Sequence, residues 1–241
     1  MDVIILAGGL GTRLRSVLSE VPKCMAPVAG HPFLYHLLNY LMRFDNVDKV
    51  ILSVGHLRDK IIEWIDDNRK LFPFEIEYSI EEEPLGTGGG IRLALSKTET
   101  ENVLILNGDT FFDVDLKTFE IIHKRTSLSA ITIALKSMKN FDRYGTVSFN
   151  DMTGEILSFN EKKFCSEGFI NGGVYLLNKE KLEWAHLPEK FSFEKEVLES
   201  NHMRSTLYGV VQDGYFIDIG IPTDYSKANA DFICFNTCRY K

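Results

Sequence analysis

The chain has 241 residues, 44% hydrophobic and 25% charged, which suits one large α/β domain or a domain with a smaller lobe. A formal charge of −7 without a long Lys/Arg cluster speaks against nucleic acid as a partner, and no apolar run approaches the ~20 residues of a membrane span. The cysteines Cys24, Cys165, Cys234 and Cys238 form no CxxC pair and no metal-ligand spacing with the six histidines, which fits reduced thiols in a cytoplasmic protein.

Met1 and Asp2 lead directly into a strand with no basic region, so no secretory leader is expected. The strand, Val3-Ile4-Ile5-Leu6-Ala7, is β-branched and apolar and stops at Gly8-Gly9. It predicts a buried parallel strand ending in a tight turn, where glycine lets backbone N–H groups approach an anion closely. Gly11 and Thr12 continue that turn, and the forked donors of Arg13 suit a polyphosphate. Leu14 stands where a dinucleotide fingerprint needs glycine, and the Gly-Lys-Ser/Thr of a Walker loop is absent.

Ser16 to Glu20 reads as a polar connection and Pro22 to Val28 as extended, because two prolines resist helix. Pro32 is expected to open a helix through Phe44, with Phe33, Leu34, Leu37, Leu38 and Leu41 on a helical period. Strand 50–54, helix 58–71, strand 75–80, a helix from after Gly90 to about Lys97, strand 103–106, helix 116–125 and strand 130–135 follow. This alternation is that of a doubly wound parallel sheet. Past Asn140 shorter alternating runs, 146–149, 156–160 and 168–177, suggest an antiparallel lobe. A helix over 193–200, strands 205–211 and 215–219, and a helix from Pro222 to about Phe235 complete the prediction. No repeat or linker interrupts the chain, and there is no hexapeptide β-helix pattern.

In an open parallel sheet, ligands bind beyond the carboxyl ends of the strands. Asp109, in Asn107-Gly108-Asp109-Thr110, and Asp218, in Phe216-Ile217-Asp218-Ile219-Gly220, both stand at such ends. Two rim carboxylates suit a magnesium ion that bridges nucleotide phosphates. Asp113-Val114-Asp115 is a rival D-x-D metal motif of the kind glycosyltransferases use, but Asp115 is well placed to cap the following helix.

Gly8-Gly9-Leu10-Gly11-Thr12-Arg13-Leu14, together with Pro22-Lys23, resembles the sugar-1-phosphate nucleotidylyltransferase family, and the likeness extends over nearly the whole chain. The resemblance implies a Rossmann-like nucleotidyltransferase fold with a mostly parallel doubly wound sheet. It divides the single domain 1–241 into a nucleotide-binding half to about 140 and a smaller antiparallel sugar-binding lobe with the C-terminal helix. It further implies attack of a sugar-1-phosphate oxygen on the α-phosphorus of a nucleoside triphosphate. Arg13 and Lys23 then hold the triphosphate, Lys162 bridges the two reacting phosphates, and Asp109 and Asp218 hold Mg²⁺. A phosphate monoester, with a second pKa of ~6, needs no general base.

In the same resemblance the nucleotide lies against Leu6, Ala7, Gly8, Gly9, Gly11, Thr12, Gly86, Thr87 and Gly88. The sugar lies against Gly108, Glu161, Asn171, Gly172 and Glu194, with carboxylates accepting from vicinal hydroxyls. Guanine presents an N–H donor pair that a carboxylate can accept; the run Glu81-Glu82-Glu83 supplies one, with Glu83 or Glu82 favoured by its spacing to Leu85-Gly86-Thr87. Tyr144, Phe159 and Tyr175 read as core or wall. Cys24 departs from the family, where proline commonly follows the lysine.

Glu-x-Pro-Leu-Gly-Thr-Gly-Gly, Asn-Gly-Asp-Thr-Phe-Phe and Phe-Ile-Asp-Ile-Gly-Ile-Pro are most similar to guanylyltransferases of a manno-heptose 1-phosphate. Mannose-1-phosphate guanylyltransferase is the runner-up, and a non-catalytic sugar-nucleotide sensor or a glycosyltransferase is a more distant alternative. The expected partners are GTP and a sugar 1-phosphate. Oligomeric state, a homodimer included, stays open.

Overall fold

The computed structural model describes residues 1–9, 21–200 and 205–239. Along the chain run β1 (Asp2–Leu6), β2 (Pro27–Val28), β3 (His31–Pro32), α1 (Phe33–Leu41), β4 (Lys49–Val54), α2 (Arg58–Asn68) and β5 (Glu75–Ile80). There follow α3 (Gly86–Leu95), β6 (Asn102–Asn107), β7 (Thr110–Phe112), α4 (Leu116–Arg125), β8 (Ile131–Phe141), β9 (Val147–Phe149) and β10 (Ile156–Phe159). The remainder is β11 (Cys165–Asn178), a π-helical turn (Glu194–Leu198), β12 (Leu207–Gln212), β13 (Phe216–Asp218) and α5 (Pro222–Arg239).

Seven strands form one sheet in the order β12-β8-β11-β6-β1-β4-β5. β1 pairs in parallel with β4 and β6, β4 with β5, and β12 with β8, while β11 runs antiparallel between β6 and β8. The expected mixed, mostly parallel α/β sheet is therefore present. Val3 and Ile5 of β1 pack on one face with residues of α1, α2, α4 and α5, while Ile4 packs on the other with α3 and the π turn. This period-2 alternation buries both faces of the sheet. The antiparallel expectation past Asn140 resolves into β11 within this sheet and a separate β9–β10 ribbon.

Several boundaries differ from the sequence reading, four of them in ways that matter for the site or its frame. Helix α1 starts after Pro32 and ends at Leu41, short of Phe44. Residues 23–25 form a 3-10 turn rather than extended chain, closed by Met25 N–H to Pro22 O at 2.8 Å and seated by the buried Cys24 and Met25. Helix α3 begins inside the glycine run, at Gly86; tertiary packing overrides the poor intrinsic helix propensity of glycine. β7 was not legible as a strand, because it exists only by pairing with the distant β13.

Behind β6 lies a buried polar knot. The ring nitrogens of His123 contact Thr132 Oγ1 at 2.7 Å and Asn102 Oδ1 at 3.0 Å. Burial lowers the pKa of this imidazole to about 4.

Candidate active site

The sheet changes winding direction at β1, whose two neighbours are β4 and β6. That switch point opens a crevice beyond the strand ends. Leu6-Ala7-Gly8-Gly9 leaves β1 there and Asn107-Gly108-Asp109 leaves β6 beside it. Gly108 donates to Leu6 O at 3.1 Å, and a Cβ at Gly108 would stand 2.4 Å from that oxygen, so its lack of a side chain lets the two chain ends touch. Ala7 is buried and tied to Ser53 O at 2.8 Å. Gly11, Thr12 and Arg13 lie outside the described residues.

Pairing of β7 with β13 puts Asp218 opposite Thr110, and Ile219 N–H donates to Asp109 O at 3.0 Å. Two carboxylates far apart in sequence thus face each other. Lys23 Nζ stands between them, 2.5 Å from Asp109 Oδ2 and 3.9 Å from Asp218 Oδ1. Gly220 N–H donates to Asp218 Oδ1 at 2.7 Å and the Tyr144 hydroxyl to its Oδ2 at 3.4 Å. Burial raises the pKa of the Asp218 carboxyl, the negative Asp109 adds to this, and Lys23 opposes it. Cys24, beneath the lysine, has its thiol pushed up to about 12 by burial and then by Asp109. It is a packing residue, not a nucleophile.

The pair opens into a cavity of about 450 Å³. Asp109, Asp218, Glu161, Lys162, Asn171, Gly172 and Glu194 all line it. Glu161 and Lys162 sit on an exposed bend after β10, and Lys163 is exposed and not among the lining residues. β11 carries a bulge between Asn171 and Tyr175, a feature common beside active sites. Asn171 closes it, its Oδ1 accepting from Gly173 N–H at 3.0 Å and its Nδ2 donating to Tyr175 OH at 2.9 Å. Gly172 is buried, and a Cβ there would lie 2.4 Å from the Phe112 ring.

The acidic run behaves differently from expectation. Glu82 and Glu83 are exposed, with Glu82 pairing to Arg58 at 3.1 Å. The residue that turns inward is Glu81, not Glu83. Its Oε1 accepts from Ser53 Oγ at 3.2 Å and its Oε2 from Leu85 N–H at 3.0 Å, and a Cβ on Gly8 would meet Oε1 at 3.2 Å. The fully buried strand β4 fixes which of the three acids follows its neighbour β5 inward: Glu81 N–H bonds Val54 O at 2.8 Å. Of the α3 residues expected at the nucleotide, Gly88 is buried and a Cβ there would strike the Phe191 ring at 2.1 Å, whereas Gly86 and Thr87 are exposed.

The D-x-D motif is consumed structurally. Asp115 caps α4, accepting from Thr118 N–H at 3.2 Å and from the Thr118 hydroxyl at 2.7 Å, and that hydroxyl bond lowers its pKa. Asp113 is paired with Arg43 at 2.7 Å.

Sequence reasoning missed Asn107, Arg143, Ser192 and Lys195 in the cavity wall. Arg143 donates to the Tyr144 hydroxyl at 3.0 Å and pairs with Asp224 at the start of α5. Neither periodicity nor a short motif marks it, since only the folding of α5 onto that loop defines its place. Among the described residues no group of three or more His, Cys, Asp or Glu side chains gathers as a metal cage. Two carboxylates with phosphate oxygens are what a hard divalent cation needs, and Asp109 and Asp218, with Lys23 Nζ between them, are two such carboxylates.

A family model for nucleotidyl transferases matches residues 2–233. The chain is 50% identical over 232 residues to a D-glycero-α-D-manno-heptose 1-phosphate guanylyltransferase of Aneurinibacillus thermoaerophilus, covering 96% of this chain and 98% of that protein. It is 45% identical to the protein of the same description from Campylobacter jejuni, over 93% of this chain and 97% of that one. Among solved structures, HddC from Yersinia pseudotuberculosis complexed with GMP-PN matches with a TM-score of 0.84 and 38% identity, covering 96% of this chain and 99% of that one.

Proposed function

Because the chain belongs to the nucleotidyl transferase family, we propose that it transfers GMP from GTP to D-glycero-α-D-manno-heptose 1-phosphate, forming the GDP-heptose and pyrophosphate for surface polysaccharide synthesis. The observation that carries this reading is one cavity in which Asp109 and Asp218, bridged from behind by Lys23, meet Glu161, Lys162 and Glu194. Groups that handle phosphate charge stand beside acceptors for sugar hydroxyls. Near-complete coverage at 50% and 45% identity to two heptose-1-phosphate guanylyltransferases supports the sugar. We assign the reaction to the cytoplasm, a location that a nucleoside triphosphate substrate supports.

A phosphate oxygen of the sugar phosphate forms the new bond to the α-phosphorus, the bond from that phosphorus to the bridging oxygen breaks, and pyrophosphate leaves with the electron pair. Two anions must approach each other, so catalysis consists of positioning and charge neutralisation. Lys162 offsets the repulsion from the exposed bend, and Lys23 and Arg13 hold the triphosphate. Family members generally use a divalent metal; we assign Mg²⁺ here, held by Asp109 and Asp218, and when bound it neutralises charge on the phosphates. Glu161 and Glu194 accept sugar hydroxyls, and the bulge at Asn171-Gly172 with Gly108 shapes the sugar floor. The nucleotide rests on Leu6 to Gly9 with Gly11 and Thr12, beside Gly86. Glu81, beside Gly8, is the acceptor for the N1–H and N2–H₂ donors of guanine.

A pyrophosphate-release screen of four nucleoside triphosphates against the 1-phosphates of mannose, glucose and the manno-heptose tests this. GTP with the heptose phosphate is expected to be fastest. Faster turnover with UTP or dTTP would remove the guanylyl assignment, and preference for mannose 1-phosphate would replace the sugar.

A further inference from the structure

Helix α3 starts in the stretch assigned above to the nucleotide, yet its first turn is bound to the segment whose Ser192 and Glu194 line the cavity. Phe191 N–H donates to Leu85 O and Gly88 N–H to Phe191 O, both at 3.0 Å. Arg92 donates to the carbonyls of Leu187 and Glu189 at 3.2 and 3.1 Å. With this backbone clasped, Glu194 comes to lie over Thr87. The Thr87 hydroxyl accepts from Phe193 N–H at 2.9 Å and donates to Glu194 Oε2 at 2.8 Å. A hydroxyl has one proton, and here it is committed to the carboxylate. Ser192 Oγ also donates to Oε2 at 2.9 Å, while Oε1 has no hydrogen bond among the described residues.

We propose that Thr87 is a positioning residue for the sugar half of the site, acting through Glu194. It fixes one carboxylate oxygen so that the other is presented to the cavity in a single orientation. The ordering cost of that acceptor is then met in folding rather than on binding. The role rests on the reading of Glu194 as an acceptor for sugar hydroxyls. It moves Thr87 from the nucleotide to the sugar, although the residue lies in the stretch that the sequence assigns to the nucleotide.

The test compares Thr87→Val, which keeps the shape and loses the hydroxyl, with Thr87→Ser, which keeps the hydroxyl, and with Glu194→Ala alone and combined with Thr87→Val. Steady-state kinetics with the heptose 1-phosphate at saturating GTP are read beside calorimetric GTP titration and thermal unfolding. Thr87→Val is expected to raise KM for the sugar phosphate about tenfold with the GTP Kd unchanged. Thr87→Ser should stay within about twofold of the parent, and the double variant should be no worse than Glu194→Ala. If Thr87→Val does not fold, Thr87→Ala removes the same hydroxyl without branched bulk. Weakened GTP binding with an unchanged sugar KM, or additive losses in the double variant, would overturn the proposal. If Glu194→Ala raises the sugar KM and Thr87→Val does not, Thr87 alone loses its role. An unchanged sugar KM in Glu194→Ala overturns the reading of Glu194 and the role of Thr87 with it.

Discussion

The two sides of the cavity are held in different ways. Asp109 and Asp218 are anchored at the ends of paired strands and joined through Lys23 of the 3-10 turn, whose side chain is only 14% exposed. Glu161 and Lys162 stand on an exposed bend beyond the small β9–β10 ribbon, and neither makes an ion pair among the described residues. The strand-end side is organised by the sheet before any ligand arrives. The bend carries charge that awaits one. The proposed reaction of two anions would profit from this division, with a fixed cluster to orient the triphosphate and an outer lysine to neutralise the second phosphate.

The largest effect should come from the fixed side. Asp109→Asn or Asp218→Asn should abolish turnover while circular dichroism stays that of the parent. Because burial and Asp109 raise the pKa of Asp218, its charged form is costlier in the folded than in the unfolded chain, so Asp218→Asn should melt no lower than the parent. Full activity in either variant, with chelators harmless to the parent, would break the assignment of a metal to this side.

Lys162→Ala tests the other side. It should lower kcat/KM for the sugar phosphate by several powers of ten, about 4 kcal/mol of transition-state stabilisation or more. GTP binding measured by calorimetry should hardly change, and Lys163→Ala, outside the lining, should be near neutral. If Lys163 proved essential instead, the bend would be shifted by one residue and Glu161 would lose its place at the sugar.

A smaller effect separates the acids of the 81–83 run. Glu81→Gln should cost about 2–3 kcal/mol in the use of GTP, whereas Glu83→Gln should resemble the parent. Nucleotide competition assays decide between them, and the reverse ranking would return the base to the exposed Glu83.

The smallest effect concerns the frame behind the strand ends. His123 is held neutral in the folded state, its pKa lowered from 6.5 to about 4. Between those values the unfolded chain binds a proton that the folded chain refuses. Stability is therefore full above pH 6.5 and declines as pH falls toward about 4. Urea unfolding across this range should show a shallower pH slope for His123→Gln than for the parent; equal slopes would detach the knot from acid sensitivity.

Much of this architecture was legible in the chain itself. β5 and α4 appear at the residues their patterns mark, and most other strands and helices differ only at their ends, because burial of one or both faces leaves a local period of 2 or 3.6. The carboxylates at Asp109 and Asp218 were readable because an apolar run that stops at glycine and aspartate marks a strand end. Other features depend on partners far away in sequence. β7 exists through β13, α3 can begin on glycines because Phe191 and Glu189 fill their missing side chains, and Arg143 reaches the wall through Asp224. Three consecutive glutamates look alike in sequence, and only the register of β5 against β4 turns Glu81 toward Gly8 while leaving Glu82 and Glu83 at the surface. Local periodicity thus determined which residues become strand, helix and strand end. Long-range pairing, which no local pattern encodes, decided which of those ends face one another and which side chain of a uniform run turns inward.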